Sequence, residues 1–171
     1  MRSLALFTLS TALVAASAAQ AQTAKPCITG AEMEGLALVV MPEALRGAGQ
    51  TCRPHLPANA LLNRPQALMA KYQAETAGAW PMALAAMGKI VDPQARELLG
   101  SEMGKAMLPA MIGPMIAQEI KPADCGAINR AVELVAPLPA RNAAGLLSLV
   151  LQLASKKNDT EFPVCRFGQG R

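Results

Sequence analysis

A strongly apolar stretch runs from Asn142 to Lys157 and has the residue spacing of a helix. On a helical projection most of its circumference is apolar, through Ala143, Leu146, Leu147, Leu149, Val150, Leu151, Leu153 and Ala154. Only a thin polar strip remains, formed by Ser148, Gln152 and Ser155. A helix of this kind must be covered by neighbours on several sides. The pattern therefore predicts that this helix forms the centre of an all-helical bundle.

The preceding segments have the apolar spacing and the start signals of shorter helices. Thr29 and Glu32 form the T-x-x-E capping box, which predicts a helix over residues 30–41. A further helix is expected over residues 66–79, with a kink at Pro81 and a continuation beyond it. No segment alternates between apolar and polar residues, so no sheet is predicted.

Capping residues mark the helices of the second half of the chain. Asp92, Ser101 and Asp124 are each expected to cap a helix, and a proline in the first helical position strengthens the first of these signals. Residues 103–120 are apolar but interrupted by glycines and prolines, which predicts two short or kinked helices. The predicted fold class is all-α. It is a single-domain orthogonal or irregular bundle of about five to seven helices, several of them kinked at proline, braced by two disulfides.

The N-terminus has the layout of a secretory signal peptide. Met1-Arg2 supplies a positive start, residues 4–16 form an apolar run, and Ala19-Gln20-Ala21 is a small-x-small cleavage signal. The apolar run is shorter than the roughly 20 residues that span a membrane. We therefore expect residues 1–21 to be removed, leaving a soluble periplasmic or secreted product that is not an integral membrane protein. An uncleaved anchor is the alternative.

The remaining residues, 22–171, have the length of one helical domain, in which 22–26 and 166–171 are expected to be disordered. The formal net charge is +4, and neither sign clusters, since the longest basic run is Lys156-Lys157. A nucleic-acid-binding surface combines a basic stripe with aromatic side chains for stacking, whereas aromatic residues make up only 3% of this chain. Nucleic acid is therefore excluded as the expected partner.

Four cysteines, Cys27, Cys52, Cys125 and Cys165, all follow the expected cleavage site. An even number in an exported chain favours disulfides, and no C-x-x-C pair indicates a redox or haem site. Four cysteines allow three pairings, and all three are open from the sequence. A helical hairpin would bring Cys125 back to Cys165, which favours that pair together with Cys27–Cys52. The latter pair needs a bend in the intervening helix, which Pro42 is expected to supply.

The most specific candidate for chemistry is a row of methionines that recur every four residues: Met103, Met107, Met111 and Met115. On an unbroken helix this spacing places four thioethers along one stripe. Thioethers are soft ligands suited to Cu(I), but methionine also fills irregular cores and lines adaptable binding grooves. Because two prolines interrupt the row and no His or Cys lies nearby in the sequence, core packing is the favoured interpretation. A groove for a partner or an apolar ligand and a copper site are the alternatives.

The other polar candidates have structural interpretations. His55 is the only histidine, and because no catalytic motif accompanies it we interpret it as a loop residue. Glu32 is interpreted as a capping partner and not as an acid pair with Glu34, because residues two apart on a helix point in different directions. Arg130 and Arg141 flank a predicted turn and are interpreted as solvated, with a grip on a carboxylate or phosphate as the alternative. No catalytic residue and no cofactor is predicted.

Taken together, the patterns favour an exported, non-enzymatic helical protein with a binding or interaction role. An envelope protein or an apolar ligand is the expected kind of partner. Two alternatives use particular features of the chain: soft-metal handling through the methionine row, and carriage of an apolar ligand or lipid in a cavity under the kinked helices. An enzyme is a further alternative, but only through residues that folding brings together from separate parts of the sequence.

Overall fold

The structure, a computed structural model, describes residues 27–155 and 163–168, and the expected signal peptide and residues 22–26 lie outside this part of the chain. The described residues form six α-helices: α1 (Gly30–Cys52), α2 (Gln66–Met87), α3 (Pro93–Gly100), α4 (Glu102–Glu119), α5 (Cys125–Val135) and α6 (Ala140–Ala154). Short 3-10 turns lie at Arg53–His55, Leu61–Asn63 and Pro122–Asp124. The predicted all-α fold with two disulfides is confirmed.

Helix α1 starts at the predicted capping box but is much longer than predicted. The Thr29 hydroxyl accepts a hydrogen bond from the Glu32 N–H at 3.3 Å, and the Glu32 carboxylate accepts one from the Thr29 N–H at 2.7 Å. The helix then continues through Pro42 to Cys52, so the prediction that it ends at residue 41 is wrong. A proline removes one intrahelical hydrogen bond, and the burial of Pro42 among neighbouring helices offsets that loss.

The helix at the centre of the bundle is α1. Its contacts with α2, α4 and α6 are the most extensive between any two described helices, and it also contacts α5. The prediction that the helix over 142–157 is central is therefore wrong, because α6 packs mainly on α1 and only sparsely on α2. The largest core cluster is built around α1 and α2 and includes Leu38, Leu45, Leu62, Tyr72, Trp80 and Met87.

The two helices α6 and α4 run in opposite directions along α1. Gly30 lies beside Gln152 and Glu34 beside Gly145, so α6 is antiparallel to α1. Gly47 lies beside Gly113, and the Thr51 hydroxyl donates a hydrogen bond to the Ala117 carbonyl at 3.3 Å, so α4 is parallel to α1.

The contact between α1 and α4 depends on a close approach of the two backbones. A Cβ atom added at Gly47 would lie 2.5 Å from the carbonyl oxygen of Gly113. Real Cβ atoms do not approach a backbone oxygen so closely, so any side chain at this position forces the helices apart. Glycine at position 47 therefore sets the distance between α1 and α4.

Prolines interrupt the later helices less than their sequence suggests. Helix α2 continues through Pro81, and α4 is one helix where two short or kinked helices were predicted. The predicted caps at Asp92 and Ser101 are confirmed, since each side chain accepts hydrogen bonds from the first turn of its helix. Asp124 precedes α5 as predicted, but its side chain makes no capping hydrogen bond.

The disulfides differ from the pairing that the sequence favours. Cys27 is bonded to Cys165 and Cys52 to Cys125, so the predicted pairs Cys27–Cys52 and Cys125–Cys165 are wrong. The physical reason is the unbroken α1, whose 23 residues are about 35 Å long and hold Cys27 and Cys52 at opposite ends. In the chain-entropy model, closing loops of 73 and 138 residues stabilises the fold by about 4–5 kcal/mol each.

Backbone contacts and one lysine reinforce the Cys27–Cys165 bond. The Ile28 N–H donates a hydrogen bond to the Pro163 carbonyl at 2.6 Å, and the Cys165 N–H donates one to the Ile28 carbonyl at 2.9 Å. The Lys89 ammonium donates to the Cys27 carbonyl at 2.7 Å. The segment before α1 is thereby held against residues 163–165 and against α2.

We expect Gly47→Ala to lower the free energy of unfolding by about 1–3 kcal/mol, because α4 must move away from α1 to admit the new methyl group. The measurement is urea denaturation followed by circular dichroism. Gly126→Ala is the matched control, since a Cβ at Gly126 in α5 meets nothing within 4 Å. The control should be neutral or slightly stabilising. Equal stabilities for the two variants would contradict the close α1–α4 contact.

Candidate functional site

Helix α6 packs on α1 through its smallest and most polar residues. The side chains that it buries are Ala140, Ala143, Ala144, Ser148 and Gln152. The Ser148 hydroxyl donates a hydrogen bond to the Gly30 carbonyl at 2.9 Å. Small side chains let the two helix axes approach closely, and the hydrogen bond satisfies a hydroxyl that is only 4% exposed. Two residues of the polar strip, Ser148 and Gln152, thus lie on the inner side of the helix.

The large apolar side chains of α6 point away from the domain. Six of them are between 37% and 52% exposed: Leu146, Leu147, Leu149, Val150, Leu151 and Leu153. We call Leu146, Leu149, Val150 and Leu153 the outer face of α6, and Leu147 and Leu151 lie at its edge. Single exposed leucines are ordinary in soluble proteins, whereas a contiguous apolar patch marks an interaction surface.

The outer face has the geometry and the charge of a helix-packing surface. Its residues are spaced i, i+3, i+4 and i+7, which is the spacing that places side chains on one side of a helix facing a partner. Arg141 is the only charged residue of α6, and its guanidinium pairs with the Glu75 carboxylate of α2 at 2.7 Å. The outer face itself therefore carries no charge that would oppose an apolar contact.

The methionine row is the second exposed apolar surface, and the prediction that it packs in the core is wrong. Met103, Met107, Met111 and Met115 are between 50% and 66% exposed. Helix α4 turns its small residues, Gly113 among them, towards α1, and this leaves the long side chains outside. Because α4 is a single helix, the four methionines form an unbroken stripe.

The structure gives no catalytic grouping around His55. The residue lies exposed in the 3-10 turn that follows α1. Among the described residues, no three His, Cys, Asp or Glu side chains are close enough to hold a metal ion together. The four cysteines of the chain are all used in the two disulfides. No cysteine thiol is therefore free to act as a nucleophile or a metal ligand.

The pKa of the Glu32 carboxyl is lower than its ordinary value. Partial burial acts to raise its pKa, but hydrogen bonds from Lys89 and Thr29, together with the Lys89 charge, outweigh that effect and lower the pKa from 4.5. The Lys89 ammonium lies 2.5 Å from the carboxylate. The cap is the role that the sequence predicts for Glu32, and the ion pair with Lys89 adds to it.

The two arginines that flank the α5–α6 turn are each paired with a carboxylate. Arg130 lies 3.3 Å from Glu133 of the same helix, and Arg141 pairs with Glu75 as described above. Both guanidinium groups are more than half exposed, so the pairs leave them hydrated. Each arginine is thus paired with a different carboxylate.

Two polar residues that the sequence did not single out hold the helices in register. The Asn129 side chain is buried, accepts a hydrogen bond from the Leu62 N–H at 3.1 Å and donates one to the Glu133 carboxylate at 2.8 Å. Lys71 of α2 donates to the carbonyls of Ala136 and Leu138 at the end of α5. Both roles are structural, since each side chain satisfies backbone groups at an element end.

Buried aromatic residues complete the core and carry no chemistry that the structure supports. Burial raises the pKa of the Tyr72 phenol above its ordinary value of 10.0. Trp80 is buried as predicted, at 8% exposure. In the described residues, neither the Tyr72 hydroxyl nor the Trp80 indole N–H has a hydrogen-bond partner.

Two surface clefts bear on the idea of an apolar-ligand carrier. One, of about 620 Å³, lies between the end of α4 and the start of α5, and the other, of about 510 Å³, lies between α2 and α3. Both are open to solvent. The first is lined mainly by apolar side chains, with Glu119 and Asp124 beside them, and Arg96 and Glu97 line the second. Apolar-ligand pockets are typically concave and enclose most of the ligand, so these clefts do not favour that alternative.

Comparison of the chain with protein-family models, with curated proteins and with solved structures found no match. Within the described residues, no helix has both the length and the hydropathy needed to cross a membrane. The function must therefore be argued from the two exposed apolar surfaces, the outer face of α6 and the methionine row.

The orientation of α6 can be tested with two adjacent substitutions. Ser148→Leu should lower the free energy of unfolding by about 1–3 kcal/mol, because the larger side chain enters the tight contact with α1. Leu149→Gln, one residue along the same helix, should cost less than Ser148→Leu, because the side chain at position 149 is more than a third exposed. Thermal and urea denaturation measure both. A larger loss for Leu149→Gln would mean that the leucine side of α6 is the buried one.

The Glu32–Lys89 pair should make stability depend on pH in the acid range. Because the pKa of Glu32 is lowered in the folded state, the pair contributes stability above the ordinary value of 4.5, and this is lost as the pH falls through the folded-state pKa. Glu32→Gln should remove this dependence, so wild type and variant converge in stability as the pH decreases. Lys89→Met should reduce the dependence, but it should also lower stability at every pH, because the hydrogen bond to the Cys27 carbonyl is lost as well. Denaturation at a series of pH values is the measurement, and a constant difference between wild type and Glu32→Gln would contradict the assignment.

Proposed function

We propose that this protein is an exported, non-enzymatic interaction module that binds a partner protein through the outer face of α6. The observation that carries the proposal is the orientation of α6, which buries alanine, serine and glutamine and leaves leucine and valine in water. Exposing these side chains is unfavourable by about 25 cal/mol per Å² of apolar surface. A partner that covers the face recovers this energy.

The proposal of export rests on the N-terminal sequence and on the disulfides. Residues 1–21 have the order of a signal peptide, although they lie outside the described residues. Disulfides persist in the periplasm and outside the cell, whereas cytosolic thiols are kept reduced. The two disulfides of this chain, which close long loops, fit that setting.

The size of α6 favours a partner with a concave surface over a second copy of the chain. The helix has 15 residues and is about 22 Å long. Two such helices laid side by side cover a footprint on the order of 200 Å², well below the roughly 800 Å² that each side of a stable interface buries. A groove that also reaches Leu147 and Leu151 at the edge of the outer face buries more of the exposed surface. The proposed mode is therefore a helix seated in an apolar groove.

The charge on α6 sets the expected character of that groove. Arg141, at the start of the helix, is already paired with Glu75, and the outer face carries no charge. A groove lined by uncharged apolar side chains would therefore complement this face. The proposed partner is thus an envelope protein with an uncharged apolar groove.

Site-specific photocrosslinking in the native host tests this function. We expect a benzophenone amino acid at Leu149 to give a discrete adduct with one envelope protein. The same residue at Gln73, an exposed position on α2, should give none. The identified protein, once purified, should bind the wild-type protein and lose at least about tenfold in affinity for Leu149→Glu, because a charge then enters the groove.

Other results would each count against the proposal. An adduct containing only a second copy of the chain would indicate self-association. Binding to vesicles of phosphatidylcholine and phosphatidylglycerol that Leu149→Glu abolishes would indicate a membrane surface as the target. Equal crosslinking from Leu149 and Gln73 would mean that the outer face has no specific partner.

A further inference from the structure

The methionine row lies on one continuous helix and is exposed, and neither property can be read from the sequence alone. Helix α4 runs without interruption from Glu102 to Glu119, so the two prolines do not break the row. All four methionines are at least half exposed, so their thioethers are not occupied in packing the core. Methionine is normally a buried residue type, and four exposed ones at regular spacing on one helix call for a function.

Helix geometry limits how these thioethers can act together. Residues four apart have Cβ atoms about 5–6 Å apart, so two neighbouring thioethers can reach one ion between them. Each step of four residues also rotates about 40° around the axis, so Met103 and Met115 are about 120° apart and cannot share one ion. Met107 and Met111 are the middle pair, and each has a further methionine on its other side. They are therefore the expected centre of any site.

The donor atoms select the kind of ion. A thioether is a soft, neutral ligand, which suits Cu(I) and does not suit Mg²⁺, Ca²⁺ or Mn²⁺. Thiolates are not available, because all four cysteines are in disulfides. A site made of thioethers alone therefore favours the soft monovalent ion over Zn²⁺, which is bound in proteins by thiolate, imidazole and carboxylate ligands.

The charges on α4 do not oppose a cation. The Lys105 ammonium is paired with the Glu102 carboxylate at 2.5 Å. Glu119, four residues beyond Met115, continues the row with a carboxylate at the C-terminal end of the helix. The negative end of the helix dipole lies there too, so the field at that end of the row attracts positive charge.

We propose that the exposed methionine row of α4 is a Cu(I)-binding site centred on Met107 and Met111, whose two thioethers hold the ion between them. This activity is separate from the proposed function of α6, because it uses a different helix and different side chains. No change in oxidation state is part of it: the protein takes up Cu(I) as such and holds it by thioether sulfur.

A competition titration of the folded, oxidised protein tests the site. Cu(I) is supplied anaerobically as its complex with bicinchoninate, and the loss of the chelator's colour reports transfer to the protein. We expect the wild-type protein to compete. Met107→Leu with Met111→Leu should weaken binding at least about tenfold, because leucine keeps the volume and removes the sulfur.

Met82→Leu is the matched control. Met82 is exposed like the row but has glycine and alanine, not methionine, four residues to either side. The Cu(I) affinity of the Met82→Leu variant should be within about twofold of that of the wild-type protein, since the substitution removes a thioether that has no neighbouring thioether with which to share an ion. Circular dichroism of each variant checks that the fold is kept.

Sulfur-only coordination in the X-ray absorption spectrum of the copper-loaded protein is the expected structural signature. Failure of the wild-type protein to compete, unchanged affinity of the double variant, or nitrogen and oxygen ligation in the spectrum would each overturn the proposal. Leu149→Gln should leave Cu(I) affinity unchanged. The copper site and the partner-binding function of α6 can therefore fail independently.

Discussion

Helix α1 is surrounded on several sides because its neighbours cross it with small residues. Gly47 meets the backbone of α4 at Gly113, and α6 lies against α1 through alanines, Ser148 and Gln152. On α4 and on α6, only one side has residues small enough for this close contact. Once that side is turned inward, the large apolar side chains of the same helix are left outside. The tight packing of α1 thus accounts both for the core and for the two exposed apolar surfaces, the outer face of α6 and the methionine row.

Much of the fold follows from local signals in the sequence. The capping box at Thr29 and the caps at Asp92 and Ser101 mark helix starts correctly because capping depends on atoms within a few residues. Helix ends were harder to predict, since burial of Pro42 in the packed bundle offsets the hydrogen bond that a proline removes. The disulfide pairing was wrong for a related reason: it depends on where distant segments meet, and an unbroken α1 separates Cys27 from Cys52.

The sequence predicted the residue spacing of the candidate sites but not their orientation. The period of α6 and of the methionine row is visible in the sequence, but periodicity does not say which side of a helix faces the core. Hydrophobicity predicted the wrong buried side for both α4 and α6, because residue size and not polarity decides which side fits against α1. Asn129 and Lys71 could not be recognised either, since the backbone groups that they satisfy lie more than sixty residues away.

The Cys27–Cys165 bond has a consequence for how the molecule meets proteases. It encloses the whole bundle in one covalent ring, and the Cys52–Cys125 bond subdivides that ring. A single cut in any loop between Cys27 and Cys165 therefore opens the ring without releasing a fragment, and the nicked chain keeps its helices tethered together. Because the Cα atoms of Cys27 and Cys165 are 4.9 Å apart, the disulfide brings the two ends of this ring to one point.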